Sequence, residues 1–485
     1  MKNTSLSKDT LFYSIANWSR RLVGFVTAPI IIAYFTPSDY GYMSLVNTLA
    51  SFCSILGMLA IVDQGLPRFF VDSKDDYEKK GYVSTSFFAG GAGILFIVFM
   101  IFGSTPFIQF FAKDVSVPLV FTSLVALVCL TQSFQYVGSN MLKWTFQSSL
   151  FMKITLVQTI IGAALTISLV VFLGWRAKGL LLAGSMVALV GGVWANWSVK
   201  EYIKPSSISK RKLKELAAYS WPLLGLNIFA FFTRSLDRIF LASLASLGAV
   251  GIFSVSYAVA SIFETLVVGF FFAWGPYMLL TFRETWAPQR YSQLFSAISC
   301  LGIVSIVGLG LWGSPVVMLF RPDGAYKEIG IFIPWIIAGT LLYYIGGYFA
   351  PGPSIKKKTH WKLIAFMLAG ISNGILNYAL IPRIGILGAG VATTISSLLA
   401  GIFNQVVSNR LYFVPNRWRF SFALILIFTV VVSFLQIENP ILDINKISYL
   451  SRVFLTTGLV ILGSLPFYKD IKALGLLEKL TAKFH

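Results

Sequence analysis

The stretch Gly41-Tyr42-Met43-Ser44-Leu45-Val46-Asn47-Thr48-Leu49-Ala50-Ser51-Phe52 returns 210 positions later as Gly251-Ile252-Phe253-Ser254-Val255-Ser256-Tyr257-Ala258-Val259-Ala260-Ser261-Ile262. Four of the twelve positions are identical, and several others keep their apolar character. A second echo, at an offset of 209, pairs Lys153 with Lys362 and Gly179 with Gly388. Each copy opens a long apolar run, so the repeated unit is a set of membrane helices. Duplicated bundles of that kind are how many transporters build a path between two halves.

Composition fixes the solvent. Hydrophobic residues make up 56% of the 485 and charged residues 12%, against roughly 25% charged in soluble domains. A soluble chain of this length has nowhere to hide so much apolar surface, which predicts lipid as the surroundings. The first apolar run, near 11–36, is too long for a signal-peptide core, carries Arg20-Arg21 inside it and has no small-residue cleavage site behind it. It is expected to be a retained span. The cysteines Cys53, Cys129 and Cys300 each lie in an apolar run and read as small buried hydrophobes. Two histidines, His360 and His485, are too few for a zinc or haem site, so no metal is expected.

A span needs about 20 apolar residues. Fourteen runs qualify, near 11–36, 40–63, 82–103, 118–141, 150–173, 178–199, 217–244, 248–275, 292–320, 329–350, 361–382, 386–409, 419–437 and 447–466. Of the 39 Lys and Arg, 27 fall on the side of the N-terminus, 7 on the other side and 5 within spans. The positive-inside bias then puts both termini in the cytoplasm. It also explains most of the net charge of +20 without nucleic acid.

The fold expected is an all-α polytopic membrane protein of about fourteen spans. An N-terminal six-helix lobe occupies 1–200 and its repeat, the C-terminal lobe, 210–411. Two further spans lie in 412–466, and 467–485 forms a cytoplasmic tail. Six spans per copy make both copies enter from the same side, with a pseudo-axis along the membrane normal. In the tail, Ile471, Leu474, Leu477 and Phe484 stand at helical spacing among Lys472, Lys479 and Lys483. An amphipathic helix on an anionic leaflet fits this pattern as well as a solvated tail does.

Charges inside spans are costly and face a cavity or a partner. Arg20 and Arg21 sit well inside the first span, with Asn17 three and four residues before them on the same side. They read either as a cationic wall for an anionic headgroup or as side chains snorkelling to the interface. Span seven carries Thr233-Arg234-Ser235-Leu236-Asp237-Arg238. Arg234 and Arg238 share a face at i, i+4, and Asp237 can reach Arg234 at i, i+3. Falling late in the span, this cluster is expected near the outer surface, either as a vestibule site or as a salt-bridged cap. Glu264, midway through span eight, is either a proton carrier or the partner of an arginine of span seven or one. Glu264 and Asp237 are thus the ion-coupling candidates. Asp63 reads as a helix-end feature. Asn17, Asn227, Asn373 and Asn377 are polar side chains within spans, suited to line a hydrated cavity.

Pro29, Pro222, Pro276 and Pro334 lie in or near spans, where they permit bending and packing. No phosphate-binding glycine loop, nucleophile elbow or metal cluster is present, so no catalytic residue is expected. Asp72-Ser73-Lys74-Asp75-Asp76 superficially suggests a sugar-transferase metal motif. A nucleotide-sugar site needs a folded domain to position it, and this stretch reads as a solvated connector.

Four features carry a family resemblance: Phe35-Thr36-Pro37-Ser38-Asp39-Tyr40-Gly41 between the first two spans, Gly65 to Phe70 after the second, Asp237-Arg238 leading through Gly251 into span eight, and Gly385-Ile386-Leu387-Gly388-Ala389 opening span twelve. In order and span count the chain resembles the Wzx-type O-antigen and capsular polysaccharide flippases of the multidrug/oligosaccharidyl-lipid/polysaccharide exporter superfamily. The resemblance implies a V-shaped bundle in the bacterial inner membrane. Such a protein moves an undecaprenyl-pyrophosphate-linked oligosaccharide from the cytoplasmic to the outer leaflet, for O-antigen, capsule or exopolysaccharide synthesis. It implies ion-coupled alternating access, with H+ or Na+ as the coupling ion and no other cofactor. It further implies the bilayer, the polyprenyl pyrophosphate glycan, and polysaccharide polymerase and chain-length machinery as partners. The family's cationic cavity maps onto Arg20 or Arg21.

Physical chemistry points to the same substrate class. Arginine is always charged and bonds a pyrophosphate bidentately. The alternative is a multidrug exporter of organic cations, which calls for an acidic, aromatic cavity and sits poorly with the excess of intramembrane arginine. A membrane-embedded polymerase or glycosyltransferase needs a sizeable acidic extramembrane loop, which the chain does not have. A non-transporting scaffold leaves the embedded charges without a purpose.

Overall fold

The computed structural model describes residues 27–103, 118–145, 147–437 and 449–474, preceded by Phe12, Ile15, Ala16, Ser19 and Gly24. Among the described residues there is no strand, and 12 helices are long and apolar enough to cross a membrane. They are α1 (Pro37–Met58), α2 (Asp76–Gly103), α3 (Pro118–Trp144), α4 (Ser148–Thr166), α5 (Arg176–Ser198), α6 (Lys210–Leu244), α7 (Leu247–Thr281), α8 (Ala287–Phe320), α9 (Ile329–Tyr348), α10 (His360–Leu411), α11 (Trp418–Gln436) and α12 (Tyr449–Ser464). They coincide with the second to fourteenth expected spans, because α10 carries two spans in its 52 residues. The first expected span lies largely outside the described residues, with 27–34 helical.

Helix ends follow the local sequence. Thr36 caps α1: its hydroxyl accepts from the Asp39 amide, and the Asp39 carboxylate accepts from the Thr36 amide at 3.0 Å, with Pro37 at the first turn. The Phe35–Gly41 motif is therefore a helix start. At the other end of α1, Leu59 (φ 51°) and Ala60 (φ 57°) are left-handed without being glycine. A π-helical turn, Ile61–Gly65, and a short helix, Leu66–Asp72, follow. Asp63 lies in that turn and accepts a hydrogen bond from the Asn227 amide at 3.0 Å, so the helix-end reading of Asp63 matches its place. Within α10 the break is at Ile384 and Gly385, the latter with φ 58° and ψ −135°, a region open to glycine alone. The chain doubles back tightly there, since a Cβ on Gly388 would stand 2.8 Å from the backbone of Leu380.

The chain divides into two compact units, Met1–Phe231 with Ser246–Gly248, and Phe232–Ala245 with Ala249–His485. In the first, α3 packs along α5, and α1 along α2 and α3. Buried Gln158 of α4 ties three helices together, accepting from Gln135 of α3 at 2.9 Å and donating to the Val187 carbonyl of α5 at 2.9 Å. In the second unit, α9 is the innermost helix, packed on α8, α10 and α11. Contact with α10 depends on small residues, because a Cβ on Gly346 would lie 2.4 Å from the Gly401 Cα. Lipid gives apolar helices little reason to associate, so such close backbone approach supplies the packing.

The acidic stretch 72–76 is a satisfied connector: Asp72 pairs with Arg68 at 3.0 Å, Asp76 with Lys79 at 3.7 Å, and Asp75 accepts from the Glu78 amide at 2.7 Å. In the tail, a short helix spans Tyr468–Ala473, with Phe467 and Leu474 buried and Asp470 accepting from Ser296 of α8 at 2.6 Å. Residues 475–485, including Leu477, Lys479, Lys483 and Phe484, lie outside the described residues.

The α9–α10 contact makes a stability prediction. Gly346→Ala should destabilise the detergent-solubilised protein by about 1–3 kcal/mol through overpacking. Gly308→Ala, with no atom within 4 Å of the new Cβ, should be near neutral. Equal thermal stability of the two variants would contradict the packing described.

Candidate functional site

The α6–α7 hairpin brings the polar residues of span seven against those of span eight. Glu264 stands at the middle of the 35-residue α7. Arg234 Nη2 lies 3.7 Å from its Oε1, and the Tyr344 hydroxyl of α9 donates to the same oxygen at 2.8 Å. The Arg234 guanidinium also sits over the Tyr343 ring, 5.8 Å from its centroid. Arg238 turns away, donating from Nη1 to the Arg234 carbonyl at 3.2 Å and lying 4.8 Å from the Tyr257 ring centre. Despite its pairing, the Arg234 side chain is 51% exposed, while that of Glu264 is 21% exposed.

Asp237 is the hub of a second network. It is 4% exposed, and its carboxylate accepts from Asn377 Nδ2 at 2.6 Å, Asn373 Nδ2 at 3.2 Å and Thr393 Oγ1 at 2.9 Å. Asn373 and Asn377 precede the break in α10 and Thr393 follows it. The doubling back at Gly385 is thus what lets one carboxylate collect both halves of the helix. Asn377 Oδ1 is buried with no hydrogen-bond partner. A cavity of about 40 Å3 touches Arg234, Asp237, Glu264, Tyr343, Tyr344 and Thr393. That is room for a few waters or one small cation, and far too little for a glycan.

Several expectations change here. Asp237 does not pair with Arg234: although three residues apart, its carboxylate points to α10, where three donors outbid one distant guanidinium. Glu264 takes Arg234 instead. Arg234 falls late in α6, and its side chain reaches back to Glu264 at the middle of α7. Asn373 and Asn377 do not line a hydrated cavity, being 1% and 0% exposed, and Asn227 is engaged with Asp63. Arg20, Arg21 and Asn17 lie outside the described residues. Arg452, the remaining intramembrane arginine, is buried beside Trp312, 5.9 Å from its ring centre. Among the described residues, no group of three or more His, Cys, Asp and Glu is placed to hold a metal.

Tyr257, Tyr343, Tyr344 and Thr393 were not legible as site residues. Nothing local distinguishes them within their apolar runs. The one usable signal was the i, i+4 spacing of Asn373 and Asn377, which puts two amides on one face of a membrane helix and calls for a shared polar partner.

Comparison with known proteins agrees with this architecture. Residues 6–282 match the family described as polysaccharide biosynthesis protein. A Haloferax volcanii protein described as "Probable flippase AglR" is 24% identical over 402 residues, 80% of each chain. The lipid II flippase MurJ, in an inward closed conformation, superposes with a TM-score of 0.69 at 16% identity, over 95% of this chain and 99% of that one. An inward-facing multidrug resistance MATE family transporter of the MOP superfamily gives 0.60 at 12% identity, over 82% and 94%. The fold is therefore a multi-pass helical fold like those of MurJ and this MATE transporter. Since the family match spans more than half of its length, the chain belongs to the polysaccharide biosynthesis protein family.

The Tyr344 hydroxyl is the donor that fixes Glu264. Tyr344→Phe should lower stability by about 1.5–3 kcal/mol, the loss of a hydrogen bond to a charged acceptor. Tyr348→Phe, on a residue 41% exposed, should lie within about 0.5 kcal/mol of the parent. Thermal unfolding of both variants in detergent checks this, and equal losses would remove Tyr344 from the site.

Proposed function

We propose that this chain is a flippase that carries an undecaprenyl-pyrophosphate-linked oligosaccharide from the cytoplasmic to the outer leaflet of a bacterial inner membrane. Its product feeds O-antigen, capsule or exopolysaccharide assembly, where polymerase and chain-length proteins act next. The observation that carries the reading is the half-exposed side chain of Arg234, whose guanidinium lies against Glu264 at the middle of α7. Such a group cannot face hydrocarbon without great cost, so it borders hydrated space. Its only carboxylate contact among the described residues is long, at 3.7 Å, and can be traded for a phosphate oxygen, which guanidinium binds at least as well. Arg20 and Arg21, with Asn17 beside them, supply further positive charge for the pyrophosphate in this scheme. Arg238 extends the cationic surface. Membership of the polysaccharide biosynthesis family and likeness to a probable flippase support it.

The moving bodies are the two six-span lobes, 1–200 and 210–411, with both termini in the cytoplasm. Movement is coupled to H+ or Na+ at Asp237 and Glu264. Asp237 supports this role because its carboxylate, the Thr393 hydroxyl at 2.9 Å and the unmatched Asn377 Oδ1 offer oxygen to a hard cation, which would take the place of the amide NH2 groups of Asn373 and Asn377 now donating to the carboxylate. Export of organic cations is the weaker reading. The aromatic rings around Glu264 suit a cation, but its charge is already balanced by Arg234.

Purified protein in liposomes, supplied with a fluorescent polyprenyl-pyrophosphate oligosaccharide and, in parallel, a cationic dye, tests the reading. Flipping of the glycolipid and not of the dye is expected, and the reverse would assign drug export. Arg20→Ala or Arg21→Ala should reduce glycolipid flipping at least ~10-fold at unchanged membrane level, and full activity in both singles and the double would remove them from the pathway. Asp237→Asn should make flipping insensitive to an imposed Na+ or pH gradient. A gradient response equal to wild type would place coupling elsewhere.

A further inference from the structure

A second cavity, of about 230 Å3, opens beside the first within the second unit, between α9 and the two halves of α10. Tyr343 and Ser397 belong to both. Two of its polar groups stand open. The Lys362 ammonium makes no hydrogen bond or ion pair among the described residues, and the Asn404 side chain, 8% exposed, makes no hydrogen bond there either. A buried amide and a half-buried lysine left open in one chamber are costly unless something visits them. The rest of the wall is aromatic and small: Tyr343 and Phe366 meet edge to face at 6.0 Å, and Gly347 and Gly401 leave the floor flat. Exposed Lys356, Lys357 and Lys358 precede α10 and raise the local concentration of anions.

Size and chemistry together select the occupant. The volume lies below the ~300–1,000 Å3 of pockets for drug-sized ligands, so one small ring fits and an oligosaccharide does not. A bare phosphate would use Lys362 but leave the aromatic wall without purpose. A pyranose has an apolar C–H face for an aromatic ring, hydroxyls for an amide and a serine, and, if it is a uronic acid, a carboxylate for a lysine. We propose that this cavity is a subsite for one carboxylated sugar residue of the translocated glycan. Lys362 takes the carboxylate, Tyr343 and Phe366 the ring face, and Asn404 and Ser397 the hydroxyls. The proposal rests on the glycolipid reading above and adds a selectivity that the pyrophosphate, common to such carriers, cannot provide. The repeat counterpart of Lys362, Lys153, is exposed on α4 and lines neither chamber, so the subsite belongs to the second copy alone.

Saturation-transfer NMR on the full-length protein in nanodiscs, with glucuronate, glucose and inorganic phosphate as probes, tests the subsite without requiring transport. Glucuronate should give saturable signals from its ring protons, with glucose and phosphate displacing it at least ~10-fold less effectively. Lys362→Met should weaken glucuronate at least ~10-fold, Lys362→Arg should retain most of the binding, and Asn404→Leu should weaken it without altering the folded fraction. Displacement by glucose or phosphate as effective as by glucuronate itself would overturn the proposal, as would unchanged binding in both Lys362→Met and Asn404→Leu. Because binding is read on its own, failure here leaves the flippase reading standing, and intact binding with no flipping would refute only the latter.

Discussion

A charge placed in hydrocarbon must be matched or must face water, and the second unit is organised by that rule. Arg234 and Glu264 meet from neighbouring helices. Tyr344 fixes the carboxylate from a third helix, and Tyr343 covers the guanidinium. One turn along α6, Asp237 draws Asn373, Asn377 and Thr393 from both halves of a fourth. Two carboxylates thereby hold α6, α7, α9 and α10 in register, where apolar contact alone would let helices slide in lipid. In the proposed function the same groups exchange their partners for a charged substrate or ion, so a structural role and the proposed transport role fall on the same residues.

Irregular backbone occurs where this polar chemistry is placed. The break at Ile384–Gly385 lets Asp237 reach both sides of α10. The left-handed pair Leu59–Ala60, without a glycine to relieve it, precedes the π-turn that carries Asp63 to Asn227. Strain of this kind, of order 1–3 kcal/mol per residue, persists only where surrounding structure over-determines it. In both places a carboxylate and amides sit beside the distortion, so the two features are read together.

Much of the fold was legible because hydrophobic length is a one-dimensional property. The runs from 40–63 to 447–466 each became helix within a few residues, and Gly385 marked the junction of two spans. The Thr36–Asp39 cap was likewise local. Pairing was not legible, because it depends on rotation about the helix axis and on side-chain reach. Spacing allowed Asp237 to serve Arg234, yet its carboxylate points to α10 and Glu264 serves the arginine instead. Lys362 was visible only as a loop-side cation and as the echo of Lys153. The chamber it faces exists because α9 and the two halves of α10 come together, which no window of sequence contains.

In the proposed function the Arg234–Glu264 pair works in translocation and is more than a brace. The double variant Arg234→Gln/Glu264→Gln separates the two, since it leaves no unmatched charge behind. Glycolipid flipping and thermal stability would be measured on the same reconstituted preparation. Stability close to that of the parent, with flipping reduced at least ~10-fold, is expected. Stability and flipping both restored to the parental level would contradict that role and leave the pair as a structural clamp.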